Sequence, residues 1–243
     1  MHYFVADIHL GSGDTAEQRR IERNFLDFLK QIEGDAETLF LVGDIFDFWF
    51  EYNEVVPKGF VRVLGRLAEL HDKGVRVVML TGNHDMWVGD YLTKECGIEL
   101  YTKPQVFEVA GKRLFVAHGD NMNIDNLPML RLMNWVFRSR FLRKAASWLI
   151  HPDLFLRFGK WWSGKSRKSH GSEQRPEVIE PLVEYVAQHH DAVEADYYIF
   201  GHMHYAADIA SPHRILFMGN WHSQPNYISL DDNGEIKLKF IKS

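Results

Sequence analysis

The sequence predicts a mixed α/β fold, and two patterns along the chain carry that prediction. Short apolar runs typical of buried strands alternate with amphipathic stretches at helical spacing. Six of the apolar runs pass directly into a cluster of polar residues. That arrangement favours an α/β sheet with a ligand site, because open α/β sheets bind ligands beyond the carboxyl ends of their strands.

The predicted elements follow this alternation along the chain. Helices are predicted over residues 16–33, 57–73 and 176–190, the last with Pro176 at a first-turn position. The six apolar runs predict strands, and we expect their polar ends to converge on one site. In chain order the runs and clusters are YFVA before Asp7-Ile8-His9, LFLV before Gly43-Asp44, VVML before Thr81-Gly82-Asn83-His84-Asp85, LFVA before His118-Gly119-Asp120, YYIF before Gly201-His202-Met203-His204, and ILFM before Gly219-Asn220-Trp221-His222.

Composition bounds the class of protein. The chain has 243 residues, of which 46% are hydrophobic, which is enough for one large domain with its own core. Its one cysteine, Cys96, excludes an internal disulfide and argues against a thiolate metal cluster. We expect neither a signal peptide nor a membrane-spanning segment, because the chain enters a strand at once and holds no apolar run approaching about 18 residues. These observations predict a cytoplasmic protein.

Charge and aromatic residues are unevenly distributed. The formal net charge is −5, yet residues 121–170 hold ten lysines and arginines against two acids, a balance of +8. The same segment holds four of the seven tryptophans. We therefore predict a single domain over residues 1–243 that carries a basic, aromatic helical cap insert at about 121–170.

The polar clusters suit a pair of metal ions. Taken singly, each motif is also what a turn or a helix cap uses, but six together at strand ends favour a shared site. Carboxylates, imidazoles and one amide carbonyl suit Mn²⁺, Fe²⁺, Zn²⁺ or Mg²⁺, and seven ligands are too many for one four-coordinate zinc ion. Two ions with a bridging carboxylate clamp a phosphate and activate water. The candidate ligands are Asp7, His9, Asp44, Asn83, His118, His202 and His204.

The ordered motifs resemble the calcineurin-like metallophosphoesterases. They are D-x-H at 7–9, G-D-x-x-D at 43–47, G-N-H-D at 82–85, H-G-D at 118–120 and G-H-x-H at 201–204. The resemblance implies a four-layer α/β/β/α sandwich with a dimetal centre. It implies further that one ion is held by Asp7, His9, Asp44 and His204, and the other by Asp44, Asn83, His118 and His202.

The same resemblance implies roles beside the ions. His84 would contact the phosphate and is the candidate acid for the leaving oxygen, with Asp85 orienting its imidazole. Asp47 and Asp120 would fix imidazoles or water around the ions, or else serve as an ordinary helix cap and turn. Because the cluster contains no serine or cysteine as nucleophile, we expect water to attack the phosphorus directly.

A narrower resemblance concerns the substrate. The segments GDIFDFWFEYNEVVPKGFVRVLG, TGNHDMW, HGD before a basic insert, and GNWH resemble the UDP-2,3-diacylglucosamine diphosphatases of lipid A synthesis in Gram-negative bacteria. That family cleaves its substrate into UMP and 2,3-diacylglucosamine 1-phosphate (lipid X), with a helical cap beside the acyl chains. The chain departs from well-known members at His84, where they have arginine, and it matches the segment after HGD only loosely.

The insert indicates where a lipid could bind. Residues 127–149 carry two apolar stripes at helical spacing, and docking on the domain covers only one of them. The second stripe could be covered by the following helix, a partner subunit, a membrane or acyl chains. Basic residues beside tryptophan and phenylalanine suit an anionic membrane, a nucleic acid, or simply a solvated face of a cap. The candidate substrate-binding residues are Asn83, His84, Asp125, Trp161, Trp162, Lys165, Arg167 and Lys168.

The sequence therefore predicts a metal-dependent hydrolase with two divalent ions, Mn²⁺ foremost. Its expected partners are a lipid-linked nucleotide substrate and the anionic surface of the inner membrane, where it would lie peripherally in the cytoplasm; no nucleic acid is expected. The alternative is a soluble metallophosphoesterase acting on a nucleotide, a phosphodiester or a phosphoprotein. A non-catalytic scaffold is disfavoured because all seven candidate ligands are present. The pattern does not predict an oligomeric state.

Overall fold

The computed structural model describes residues 1–122, 129, 135–136, 139–169 and 176–241, without the side chains of residues 140 and 165–169. The helices are α1 (Thr15–Ile32), α2 (Val61–Asp72), α3 (Tyr91–Cys96), α4 (Arg140–Leu149), α5 (Pro152–Ser169) and α6 (Glu180–Val193), with a 3-10 helix (Pro176–Ile179) before α6. The strands are β1 (His2–Val5), β2 (Thr38–Val42), β3 (Arg76–Leu80), β4 (Glu99–Tyr101), β5 (Gln105–Val109), β6 (Lys112–Ala117), β7 (Tyr197–Phe200), β8 (Ala207–Ile209), β9 (Ile215–Phe217), β10 (Asn226–Leu230) and β11 (Ile236–Phe240).

The strands form two sheets. The first has the order β11-β10-β1-β2-β3-β4, and the second has the order β5-β6-β7-β9-β8. Strands β1 to β4 run parallel, as do β6, β7 and β9. All six strands predicted from the sequence are confirmed, and they divide evenly between the sheets. The carboxyl ends of three strands therefore meet at one edge of each sheet.

Alternation along the strands builds four layers. In β1, Phe4 belongs to a core between the two sheets, whereas Tyr3 and Val5 face the layer of α1, α2 and α3. In β6, Leu114 joins the core between the sheets, while Phe115 packs in a third core together with α6. Successive residues of a strand point to opposite faces, so strands buried on both faces read as continuous apolar runs. The predicted α/β/β/α sandwich is confirmed.

Local chemistry sets the helix boundaries. Helix α1 begins after Asp14, whose side chain accepts the Glu17 amide hydrogen at 2.9 Å. Helix α2 begins later than predicted, at Val61, because Phe60 adopts a left-handed conformation with φ 62°. The predicted helix at 176–190 is divided into the 3-10 helix and α6.

Helices α4 and α5 lie within the range predicted for the cap insert. Helix α4 begins after Ser139, which is extended and accepts the Leu142 amide hydrogen at 3.4 Å. Much of α4 is uncovered, with Phe141 78%, Trp148 75% and Leu149 84% exposed. Within the described ranges, every helix is too short or too polar to cross a bilayer.

Candidate metal centre

The two sheets bring their polar strand ends to one place. The first sheet supplies residues from the loops after β1, β2 and β3, and the second supplies residues from the loops after β6 and β7. Cross-sheet contacts join them, since the His202 amide donates to Asp7 Oδ2 at 2.9 Å. The loop after β9 joins the same region, where the Trp221 amide donates to the Asp7 carbonyl at 3.2 Å. The predicted convergence of six strand ends is thus present.

Asp7, His9 and His204 form the first group. His9 Nε2 lies 3.1 Å from His204 Nε2, and Asp7 Oδ1 lies 3.2 Å from His204 Nε2. Asp7 Oδ1 is buried and accepts no aligned hydrogen bond. Ligand atoms about 2.1 Å from one ion are separated by about this much, so the three side chains fit a divalent cation.

Asp44, His118 and His202 form the second group, with ligand atoms within 4.8 Å of one another. His118 Nδ1 donates to the Val42 carbonyl at 2.9 Å, which directs Nε2 to Asp44 Oδ2 at 3.3 Å. Asn83 Oδ1 is buried without a hydrogen-bond partner, and His118 Nε2 is buried without an aligned one. Such atoms are costly to bury unless a ligand satisfies them, so this group too fits a cation.

Asp44 lies between the two groups. Its Oδ2 is 3.3 Å from His118 Nε2 and 3.9 Å from His9 Nε2. Its Oδ1 accepts the His84 amide hydrogen at 2.9 Å. One oxygen therefore faces histidines of both groups, as a bridging carboxylate requires.

Two glycines make this close approach possible. A side chain at Gly43, where φ is 81°, would strike the His118 ring, and one at Gly82 would strike both Asp44 and His118. The loops after β2 and β3 need glycine at these two positions, because their backbones pass within contact distance of the His118 ring.

Charge in the centre is arranged for a cation. Although burial acts in the opposite direction, the charges of His118 and then His84 hold the pKa of Asp44 well below its usual range. Burial lowers the pKa of His118, but the Asp44 carboxylate outweighs it and raises that pKa well above its usual value. Burial, and then the charge of His118, lowers the pKa of His202 to about 4. Ionised carboxylate and neutral imidazole are the forms that bind metals, and a bound ion would replace the proton on His118.

Several candidate ligands have strained backbones. Left-handed φ values are found at five of them: Asp7 (53°), His9 (50°), Asp44 (52°), His202 (67°) and His204 (53°). Residues other than glycine adopt this region at a cost of about 1–3 kcal/mol each, and they keep it only where the surroundings hold them. The sharp turns curl the chain directly after each strand, so that carboxylates and imidazoles point into the same space.

This strain predicts an inverted ranking of two substitutions. In metal-free protein, His204→Gly should be more stable to urea than His204→Ala by about 1 kcal/mol, because glycine relieves the left-handed φ. The same pair at exposed Gln188 in α6 should rank in the usual order, with alanine more stable by about 1 kcal/mol. Urea unfolding in EDTA measures both pairs. Equal stability of the two His204 variants would show that the backbone there is unstrained.

His84 is held with one ring nitrogen facing the centre. Its Nδ1 lies 2.9 Å from the Asp47 carbonyl and 2.9 Å from Ser163 Oγ, while the Ser163 hydroxyl donates to Asp47 Oδ1 at 2.6 Å. A carbonyl only accepts, so Nδ1 carries the proton. His84 Nε2 is left towards the metal centre, 3.9 Å from Asp44 Oδ2. Sequence reasoning missed Ser163, which reaches this site from α5.

The prediction that Asp85 orients the His84 imidazole is wrong. The Asp85 carboxylate accepts backbone amide hydrogens from Gly82 at 2.8 Å, Ile45 at 2.8 Å, and, at longer range, Asp44 at 3.3 Å and Phe46 at 3.4 Å. It therefore braces the loop that carries Asp44. Burial, and then the charge of Asp44, raises the pKa of Asp85 to about 6.

Only some of the candidate substrate-binding residues line a cleft in the structure. Asn83, His84 and Trp162 line a cleft beside the metal centre, whereas Trp161, 60% exposed, is not among its lining residues. Asp125 lies outside the described residues, as do the side chains of Lys165, Arg167 and Lys168. Asp120 lines a second cleft on the His118 side.

Known proteins resemble the chain over most of its length. A UDP-2,3-diacylglucosamine hydrolase of Porphyromonas gingivalis is 36% identical, covering 94% of this chain and 93% of that protein. Proteins of the same name from Histophilus somni and Pseudomonas aeruginosa are 26% and 27% identical, over 96% and 98% of this chain and 97% and 98% of theirs. Among solved structures, Vacuolar Protein Sorting 29 from Cryptosporidium parvum has a TM-score of 0.47 at 10% identity, covering 100% of this chain and 97% of that one.

A family model described as calcineurin-like phosphoesterase matches residues 3–206, which include all seven candidate ligands. The first relative above shares more than a third of its residues with this chain. The chain therefore belongs to the calcineurin-like phosphoesterase family and is a metal-dependent hydrolase.

Proposed function

We propose that the protein hydrolyses UDP-2,3-diacylglucosamine to UMP and 2,3-diacylglucosamine 1-phosphate in lipid A synthesis. The observation that carries the proposal is the apolar cleft that opens directly beside Asn83 and His84. The names of the relatives support the same substrate. A small water-soluble phosphoester needs no apolar wall at this position, which disfavours the alternative of a general phosphoesterase.

The cleft has the composition of a lipid site. Its walls are formed by α5 and by the loops after β2 and β3, and its lining is aromatic or aliphatic except near the metal centre. The rings pack on one another, with Phe48 and Trp87 5.7 Å apart and Phe158 and Trp162 6.2 Å apart. Each methylene buried there contributes about 0.8 kcal/mol, so partial burial of two acyl chains could dominate substrate affinity.

The second cleft suits the nucleotide half. His118 forms part of its wall, which places it beside the metal centre. Thr81 and Asn121 line it, and each has a buried side-chain oxygen without a hydrogen-bond partner. Such groups can bond a ribose or a pyrimidine edge. A substrate laid across both clefts would place its pyrophosphate at the metal centre.

The residues of the centre have two proposed roles, which are to hold the metal ions and to donate a proton. Asp7, His9, Asp44 and His204 would hold one divalent ion, and Asp44, Asn83, His118 and His202 the other, with Mn²⁺ as the proposed metal. When bound, the ions supply the positive charge that clamps a phosphate and activates water. Attack by water forms a P–O bond to one phosphorus as the bridging P–O bond breaks; the attacking water releases its proton to solvent, and His84 would donate a proton from Nε2 to the departing oxygen.

Mass spectrometry of the products tests the proposal. Incubation with Mn²⁺ and UDP-2,3-diacylglucosamine should yield UMP and the lipid monophosphate, and in oxygen-18 water a single turnover should label one product phosphate. Unchanged UDP-2,3-diacylglucosamine, together with rapid hydrolysis of bis-p-nitrophenyl phosphate, would favour the general phosphoesterase instead. A single turnover without label would indicate a protein nucleophile.

Trp162→Ala should separate lipid from small substrates. Because Trp162 lines the apolar cleft, its loss should raise KM for the diacylated substrate about tenfold, equivalent to about 1.4 kcal/mol. Hydrolysis of bis-p-nitrophenyl phosphate should change little. Trp161→Ala is the matched control and should change KM less, since its ring lies outside the lining. An equal loss on both substrates would make the cap a structural lid.

The exposed face of α4 is proposed to dock on the cytoplasmic leaflet of the inner membrane. Phe141 and Trp148 are largely exposed, and Lys144 is exposed on the same helix. Apolar and basic residues together bind anionic bilayers. Combined Phe141→Ser and Trp148→Ser should weaken sedimentation with phosphatidylglycerol vesicles, whereas Val61→Ser, at a 77% exposed site on α2, should not. Binding of the unaltered protein should fall with added salt; equal binding by all three proteins would refute the docking face.

A further inference from the structure

The GNWH segment after β9 supplies none of the seven candidate ligands, yet its histidine lies beside them. The rings of His9 and His222 are 6.3 Å apart between centroids. We propose that His222, with Ser12 and Glu17, forms a positioning network that holds the Asp7–His9 turn and sets the affinity of the first metal site. This inference rests on the metal centre of the proposed function and is independent of its substrate.

The network is a chain of three side chains. Ser12 Oγ lies 2.5 Å from His222 Nε2, and His222 Nδ1 lies 3.0 Å from Glu17 Oε1. A carboxylate only accepts, so in the neutral imidazole Nδ1 donates to Glu17 and Nε2 accepts the Ser12 hydroxyl hydrogen. Arg20 reinforces the arrangement, because its guanidinium donates to the His222 carbonyl at 2.9 Å and lies 3.6 Å from Glu17.

Backbone hydrogen bonds connect the network to the Asp7–His9 turn. The Ser12 amide donates to the His9 carbonyl at 3.1 Å, and the Trp221 amide donates to the Asp7 carbonyl at 3.2 Å. His222 follows Trp221 in the chain and contacts Ser12, so holding the His222 side chain in place fixes both of these backbone hydrogen bonds. Asp7 and His9 both have left-handed φ values, and strained residues keep their conformation only when several contacts hold them. The network supplies such contacts from α1 and from the loop after β9.

Ser12, His222 and Glu17 also resemble the serine, histidine and carboxylate of a nucleophilic triad. Burial rules out that role, since Ser12 is only 1% exposed and cannot reach a substrate. Both nitrogens of His222 are engaged by Ser12 and Glu17. Its effect must therefore pass through the residues that it holds in place.

Titration of metal-free protein with Mn²⁺ tests the network. Two binding steps are expected, and the step lost in His204→Ala identifies the first site. His222→Phe and Ser12→Ala should weaken that step about 10- to 100-fold, the usual effect of removing a partner behind a metal ligand, and leave the other step unchanged. Ser12→Thr keeps the hydroxyl and should restore near-normal binding. His189→Phe, at an exposed site on α6, is the matched histidine control.

Thermal unfolding with and without Mn²⁺ separates positioning from general stability. A merely structural role lowers the melting temperature of both forms alike, whereas a positioning role reduces the increase that the metal produces. Unchanged Mn²⁺ affinity in His222→Phe, or equal weakening of both steps, overturns the inference. Failure to bind two ions at all would overturn it together with the metal centre. Failure to hydrolyse UDP-2,3-diacylglucosamine would overturn the proposed substrate alone, because the titration contains no substrate.

Discussion

Asp44→Ala should empty both metal sites and abolish nearly all hydrolysis. Asp44 Oδ2 faces His118 at 3.3 Å and His9 at 3.9 Å, so its removal takes a negative ligand from both groups at once. Two bound ions provide several kcal/mol of transition-state stabilisation, which corresponds to a loss of about a thousandfold or more in rate. Removal of any other candidate ligand should affect mainly one ion.

Metal analysis and phosphodiester hydrolysis check this result together. Elemental analysis after dialysis should find close to two ions per chain in the unaltered protein and few in Asp44→Ala. Asp44→Asn keeps the shape but loses the charge, and it should fall between the two. Asp27→Ala, at an exposed site on α1, is the aspartate control. Two retained ions with near-normal activity in Asp44→Ala would show that the bridge has been assigned to the wrong residue.

His84→Ala should retain both ions and lose about 10²–10⁴-fold in rate, the range for a general acid or base. The Asp47 carbonyl and Ser163 engage Nδ1, which leaves Nε2 available to a phosphate in the centre. Asn83 is the candidate ligand of the same loop. Ser163→Ala should reduce the rate less, because the Asp47 carbonyl still holds the ring.

A metal count distinguishes the two roles open to His84. Its ring lies close enough to Asp44 and His9 for the three to form a further possible ligand group. If His84→Ala released an ion, His84 would be a ligand and its loss of rate would have a different cause. Ser147→Ala on α4 is the serine control for Ser163→Ala.

The sequence predicted the strands that carry the centre and missed those that do not. Six apolar runs were recognised because both faces of each strand are buried and a polar cluster follows. Strands β5 and β11 were not recognised because polar and apolar residues alternate along them, as in QVFEV and IKLKF. The division into two sheets was predicted from the family resemblance alone, because pairings such as β1 with β10 join distant parts of the chain.

The side-chain partners within the centre could not be predicted, because they come from residues far apart in the sequence. Asp85 follows His84 directly, yet its carboxylate turns to backbone amides while Ser163, far along the chain, reaches the imidazole. The sequence showed His222 only as part of the GNWH segment. Its contacts with Ser12 and Glu17 could not be predicted, because those residues lie near the opposite end of the chain. Left-handed backbones at the ligands had no signal at all, because only glycine marks such positions in a sequence.

The division of the ligands between the sheets has a consequence for the order of assembly. Asp7, His9, Asp44 and Asn83 precede residue 84, whereas His118, His202 and His204 follow much later. A growing chain that has made only β1 to β4 of the first sheet therefore holds a fraction of each candidate ligand set, and the remaining candidates arrive with β6 and β7 of the second sheet. We therefore expect metal capture to be a late event in folding, which selects molecules whose two sheets have already joined.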